Sequence, residues 1–221
     1  MAYFTNDFLR FLKALKKNNN REWFNDNKAT YLKAVKEPFE VFIGDLIEAM
    51  SPYCEGLAIT PKDAIFRIYR DVRFSKDKSP YKVQVSAIVN PGGRKSMTMP
   101  GIYTEITPTH MRVYSGMYML DSKQLKNLRS HIAHNLEAFE HLVTAKDFVK
   151  SFGEVRGEQN KIIPKEFRKD AEQQPLLYNK QFYYFAEWAP EVILEDKLVE
   201  KVVSTYLVAR PLSEFLYEGI H

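Results

Sequence analysis

The hydrophobic period of this chain changes twice, and those changes limit the class of fold open to it. Behind Thr5 as a cap, Phe8, Phe11, Leu12 and Leu15 recur at helical spacing. Behind Asn20, the series Trp23, Phe24, Tyr31, Val35, Phe39, Phe42, Ile43, Leu46, Ile47 and Met50 does the same. Pro38 suits the first turn of a new helix, and Ser51-Pro52 stops it. From residue 64 to 118 the period shortens. Runs at 64–74, 83–90, 98–107 and 110–118 are β-branched and aromatic, separated by Pro, Gly and Asn, with Asn90-Pro91-Gly92-Gly93 as the clearest hairpin signal. Helical spacing returns after Asp121 with Leu125, Leu128, Ile132 and Leu136, and Thr144 suits the cap of a further helix carrying Phe148. Residues 181–188 read as a strand, and 196–216 as a helix that Pro211 should break. Helices, then strands, then helices predict an α+β fold: an antiparallel sheet meander flanked by N-terminal and C-terminal helices, not alternating βαβ units. No linker-like stretch interrupts the 221 residues, so 1–221 reads as a single domain.

An apolar fraction of 45% is enough to cover a sheet and several helices, which argues against disorder. The N-terminus from Met1 to Asp7 has no basic region followed by an apolar one, and no apolar run approaches the ~20 residues a membrane span needs. Cys54 is the only cysteine, so an intramolecular disulfide framework is ruled out. The cytoplasm is therefore the expected compartment, with no membrane partner. No Gly-x-Gly-x-x-Gly or Gly-x-Ser-x-Gly occurs, and Asn90 to Ser96 lacks phosphate-loop spacing. His131, His134, Glu137 and His141 could share a helical face, but without a His-Glu-x-x-His pattern they read as ordinary surface or core residues. No cofactor and no metal site is predicted, and no oligomeric state is assigned.

The net charge of +4 has an address. Segment 66–82 holds six cations, Arg67, Arg70, Arg73, Lys76, Lys78 and Lys82, against Asp71 and Asp77; the remaining 26 cations and 26 anions cancel. A localised excess suits a single anion site better than diffuse contact along a polyanion. If residues 66–74 form a strand, alternation puts Phe66, Ile68, Val72 and Phe74 on one face and Arg67, Tyr69, Asp71 and Arg73 on the other. Arg70 then falls on the apolar face and requires a bulge or a buried partner. Arginine forks and lysine point charges bind phosphate or carboxylate, and Tyr81 adds a ring and a hydroxyl.

Residues 66–82, Phe-Arg-Ile-Tyr-Arg-Asp-Val-Arg-Phe-Ser-Lys-Asp-Lys-Ser-Pro-Tyr-Lys, resemble the signature of a widespread, mainly bacterial family catalogued as a domain of unknown function. The likeness spans nearly the whole chain, including Asn19-Asn20-Arg21-Glu22-Trp23-Phe24, Gly101-Ile102-Tyr103, Gly116-Met117-Tyr118 and Ile163-Pro164-Lys165-Glu166-Phe167. The resemblance implies a cytoplasmic α+β protein and brings no activity with it. The chain departs from the family's pattern at Ile162 and Glu166, so no family role carries over to those positions.

Three functions follow from the segment. The first is binding of, or action on, a phosphorylated or carboxylated small molecule. Arg67, Arg73 and Lys82 would clamp the anion; Arg70, Lys76, Lys78 and Tyr81 would lie nearby, and Asp71 would serve as base or orienting group. The second is a structural or protein-interaction role for an ion-pair network. Nucleic acid is the third partner class, through phosphate contacts and ring stacking.

Overall fold

The computed structural model describes residues 2–221; Met1, part of the N-terminus searched above for a targeting signal, lies outside them. The first helix, α1 (Asn6–Lys17), starts where the Thr5 side chain accepts from the Asp7 N–H, and α2 (Arg21–Asp26) starts where Asn20 accepts from the Trp23 N–H. Both caps are the expected ones. A short α3 (Lys28–Tyr31) and a π-helical turn (Leu32–Lys36) lead without a break into α4 (Glu37–Met50), with Pro38 just past the change from π to α geometry, at the cost of one helical N–H.

Strands β1 (Val85–Val89), β2 (Ile102–Ile106), β3 (Met111–Met117) and β4 (Phe182–Trp188) form one antiparallel sheet in chain order. Between β3 and β4 the chain lays down α6 (Ser122–His134), α7 (Leu136–Thr144), α8 (Lys146–Phe152) and α9 (Arg168–Gln173), after a single earlier turn of helix, α5 (Pro61–Ala64). The fold class is α+β, as the change of period predicts. The last helix, α10 (Leu198–Glu218), lies along the sheet, where the Tyr184 hydroxyl donates to the Ala209 carbonyl and the Ser115 and Ser213 hydroxyls meet at 2.7 Å.

Register divides the sheet into two faces. Ala87, Thr104 and Val113 stand in line with their neighbours on the helix side, where β1, β2 and β3 bury apolar residues against α4 and α10. Ser86, Tyr103, Tyr114 and Phe185 project the other way. Buried residues form two clusters, one under α1 to α4 and one under α6 to α9. The amino-terminal half of α10 belongs to the first and the carboxy-terminal half to the second.

Three expectations need correction. Residues 64–74 are not a strand: Ala64 ends α5, and beyond it only the isolated bridges Ile65 to Ala87 and Tyr69 to Tyr81 remain. The chain touches the edge of β1 once, through the Phe66 N–H on the Ser86 carbonyl, and then doubles back so that residues 68–70 pair with 80–82. Asp71 and Asp77 accept from main-chain N–H groups two residues on, a local bonding that competes with a ladder. Pro211 does not break α10. It sits on the exposed side while Ala209, Leu212, Ser213 and Leu216 are buried, and that packing outweighs one lost helical bond. Thr144 caps no helix; its hydroxyl donates back to the Glu140 carbonyl, and α8 begins behind Ala145.

Candidate functional site

Residues 65–82 form an arm across the edge of the sheet. Its base is fastened to the amino-terminal helices: the Asn19 amide donates to the Tyr81 carbonyl at 2.9 Å and accepts from the Tyr81 N–H at 3.1 Å. The Tyr81 ring stacks on Phe24 with centroids 4.0 Å apart. Tyr81 is therefore 3% exposed and belongs to the core.

The cations of the arm separate into two groups. Arg70 pairs with Asp77 and reaches Ser75; with no strand here there is no apolar face for it to fall on, and the pair is partly exposed. Arg73 forms a two-pronged contact with Asp71, at 2.9 Å from Nε and 2.6 Å from Nη2. Hydrogen bonds from the Ser79 hydroxyl and main chain, with Arg70 adding to them, hold the Asp77 carboxyl far below the usual range; Arg73 lowers Asp71 in the same sense. Lys78 donates to the Val72 carbonyl, and Lys76 is exposed. Arg67 is exposed and near enough to Lys82 to act on its charge.

Lys82 differs from the others. It is half-buried, its ammonium lies 5.4 Å from the centroid of the Phe66 ring, and no carboxylate of the described residues pairs with it. Burial first, and Arg67 second, push its pKa below the ordinary lysine value. It borders two cavities. One, of about 570 Å³, is a polar groove shared with Arg70, Asp71, Asp77 and Lys16. The other, of about 470 Å³, lies on the open face of the sheet and is walled by Phe66, Tyr103, Tyr114, Tyr118 and Tyr183. Both volumes suit a small organic ligand; the second has the apolar walls typical of such sites.

A polar row crosses the same sheet face. Glu105, 9% exposed, accepts from the Gln84 amide and from the Tyr114 hydroxyl, both at 2.9 Å, with His110 Nε2 at 3.6 Å. Arg112 donates to the Tyr114 oxygen and to Glu187. The guanidinium groups of Arg112 and Arg156 both lie within 4.6 Å of the Phe185 centroid. Burial, together with the Glu105 charge, raises the Tyr114 phenol to about 12, so it stays a hydrogen-bond donor at neutral pH.

Of the residues singled out from the sequence, Arg70, Asp71, Tyr81 and Lys82 line the polar groove, while Arg67, Arg73, Lys76 and Lys78 stand outside both cavities. The tyrosines of the ring wall were not among those site residues: Tyr103, Tyr114 and Tyr183 lie on three different strands and come together only through the register of the sheet. In the Tyr183-Tyr184-Phe185 run, Tyr184 is core and its two neighbours face outward. His131 packs on Phe215 and His134 bonds the Ser130 carbonyl. Burial raises the Cys54 thiol. Ile162 is exposed and Glu166 pairs with Lys126, so the two positions that depart from the family pattern lie away from the arm.

Sheet and site together define an α+β protein whose meander is sealed by helices on one face and carries a ring-walled cavity on the other. Residues 7–215 match the family described as conserved hypothetical protein (DUF2461), and the chain belongs to that family. No curated protein matches the chain. Among the described residues, no helix is long and apolar enough to cross a membrane.

Proposed function

We propose that the protein binds a phosphorylated or carboxylated small molecule on the open face of its sheet, with Lys82 as the charge anchor and the surrounding rings as walls. One observation carries this reading: a half-buried lysine with no carboxylate partner among the described residues borders a ring-lined cavity of about 470 Å³. A desolvated cation beside a second cation is destabilised relative to one in water, and an incoming anion relieves both effects. Arg67 strengthens the local field. Asp71 makes a poor base here, because Arg73 keeps it ionised at low proton affinity.

The test is a thermal-shift screen of aromatic and aliphatic phosphates and carboxylates, followed by calorimetry on Lys82→Met. Hits should weaken at least tenfold in the variant while its unfolding temperature stays close to the parent's. Undiminished binding by Lys82→Met would sink the reading. A structural role for the rest of the arm is the second reading, favoured by the Arg70 to Asp77 and Arg73 to Asp71 pairs. It predicts that Arg73→Ala leaves the screened affinities unchanged.

A further inference from the structure

The polar groove is lined from two parts of the chain. Lys16 comes from the last turn of α1, while Arg70, Asp71, Asp77, Ser79 and Lys82 come from the arm. Both carboxylates are already engaged, Asp77 by Arg70 and Asp71 by Arg73, and those two pairs cancel. Lys16 and Lys82 have no carboxylate partner among the described residues. Arg67 has none either, and it lies near enough to Asp71 and Lys82 to act on the charge of each.

Three uncompensated cations therefore surround one groove. A carboxylate brings one negative charge and a single phosphate at most about two, so neither balances all three. Like charges without a counter-charge repel, and a polyvalent anion removes that repulsion. The space allows it, because the groove, at about 570 Å³, is wider than one phosphate group needs. Lys82 borders the ring-walled cavity as well as the groove, so a single ligand can cross it, with an apolar part on one side and anionic groups on the other.

We infer that the ligand is an organic diphosphate: its organic part faces the rings, its first phosphate meets Lys82, and its second enters the polar groove and meets Lys16. The inference rests on the reading of Lys82 given above and adds a second subsite, with Lys16 as its binding residue.

Calorimetry on the intact protein tests it, with phenyl phosphate and phenyl diphosphate as the paired probes. The diphosphate should bind at least about tenfold more tightly, the size of one charge-assisted contact. Lys16→Met should erase that difference and leave phenyl phosphate unchanged. Lys16 is exposed, so the substitution spares the buried face of α1. Lys17 is the control: it is exposed on the same turn and carries the same charge, but it does not line the groove, so Lys17→Met should keep the difference. Equal affinity for the two probes overturns the subsite, as does a difference that survives Lys16→Met. An equal loss in Lys17→Met also overturns it, since that would mean a diffuse field and no subsite. In each case loss of phenyl phosphate binding in Lys82→Met would still uphold the anchor. Binding confined to single-stranded oligonucleotides, with affinity falling steeply in salt, overturns the inference in favour of a nucleic-acid surface. If neither phenyl probe binds, the second subsite falls, and the anchor is decided by the wider screen.

Discussion

Lys82 and Asp77 show how unevenly the charges of one segment are used. Asp77 takes the Ser79 N–H and hydroxyl and the Arg70 guanidinium, so Asp77→Asn should loosen the turn at 71–79 without disturbing the sheet. Hydrogen exchange should speed up in that turn and stay unchanged in β1. Lys82 gives a pH signature. Its folded pKa lies below the ordinary 10.5, so between the two values the unfolded chain binds more protons and stability rises with pH. An anion reverses the shift and binds with proton uptake. Affinity for any screened ligand should therefore fall as pH rises through the window below 10.5, and Lys82→Met should flatten that profile. Arg70 reads as a misfit only because alternation assumes a strand at 66–74; in the doubled-back arm it pairs with Asp77 and that conflict does not arise. Lys82 was legible only as one of three clamping cations beside Arg67 and Arg73, since its lack of a partner depends on where Asp71 and Asp77 turn.

At the level of elements, periodicity located the four strands and the principal helices, because each buries one face against a partner. It failed at 64–74, where apolar and charged residues alternate as in a strand but Asp71, Asp77 and Pro80 favour a doubled-back arm. It also failed at Pro211, where tertiary packing overrides a local preference. Replacing Pro211 with Ala restores a helical N–H on the exposed side of α10 and should raise the unfolding free energy by roughly 1–3 kcal/mol in urea titration. Gly116 tolerates no such change. Its φ is +101°, and a Cβ there would lie 2.1 Å from the Phe182 carbonyl oxygen. Gly116→Ala should cost on the order of 3 kcal/mol and weaken the pairing of β3 with β4.

Across the whole molecule, α10 joins the two buried clusters, and Trp188 packs against both. We therefore expect one cooperative unfolding transition, with tryptophan fluorescence and far-ultraviolet dichroism coinciding; two separated transitions would mean two domains. The arm is fastened to α1 and α2 through Asn19, so Asn19→Ala should cost about 1–2 kcal/mol and release Lys82 from the cavity rim, weakening ligands without touching the sheet. That fastening also has a place in time. Asn19 and Tyr81 are 62 residues apart, whereas β1, β2 and β3 pair with chain neighbours, and distant contacts tend to close late. A refolding chain is thus expected to lay down its tyrosine floor before its cation arrives. In stopped-flow refolding, Asn19→Ala should speed unfolding and leave the folding rate nearly unchanged; a slowed folding rate would place the fastening early instead.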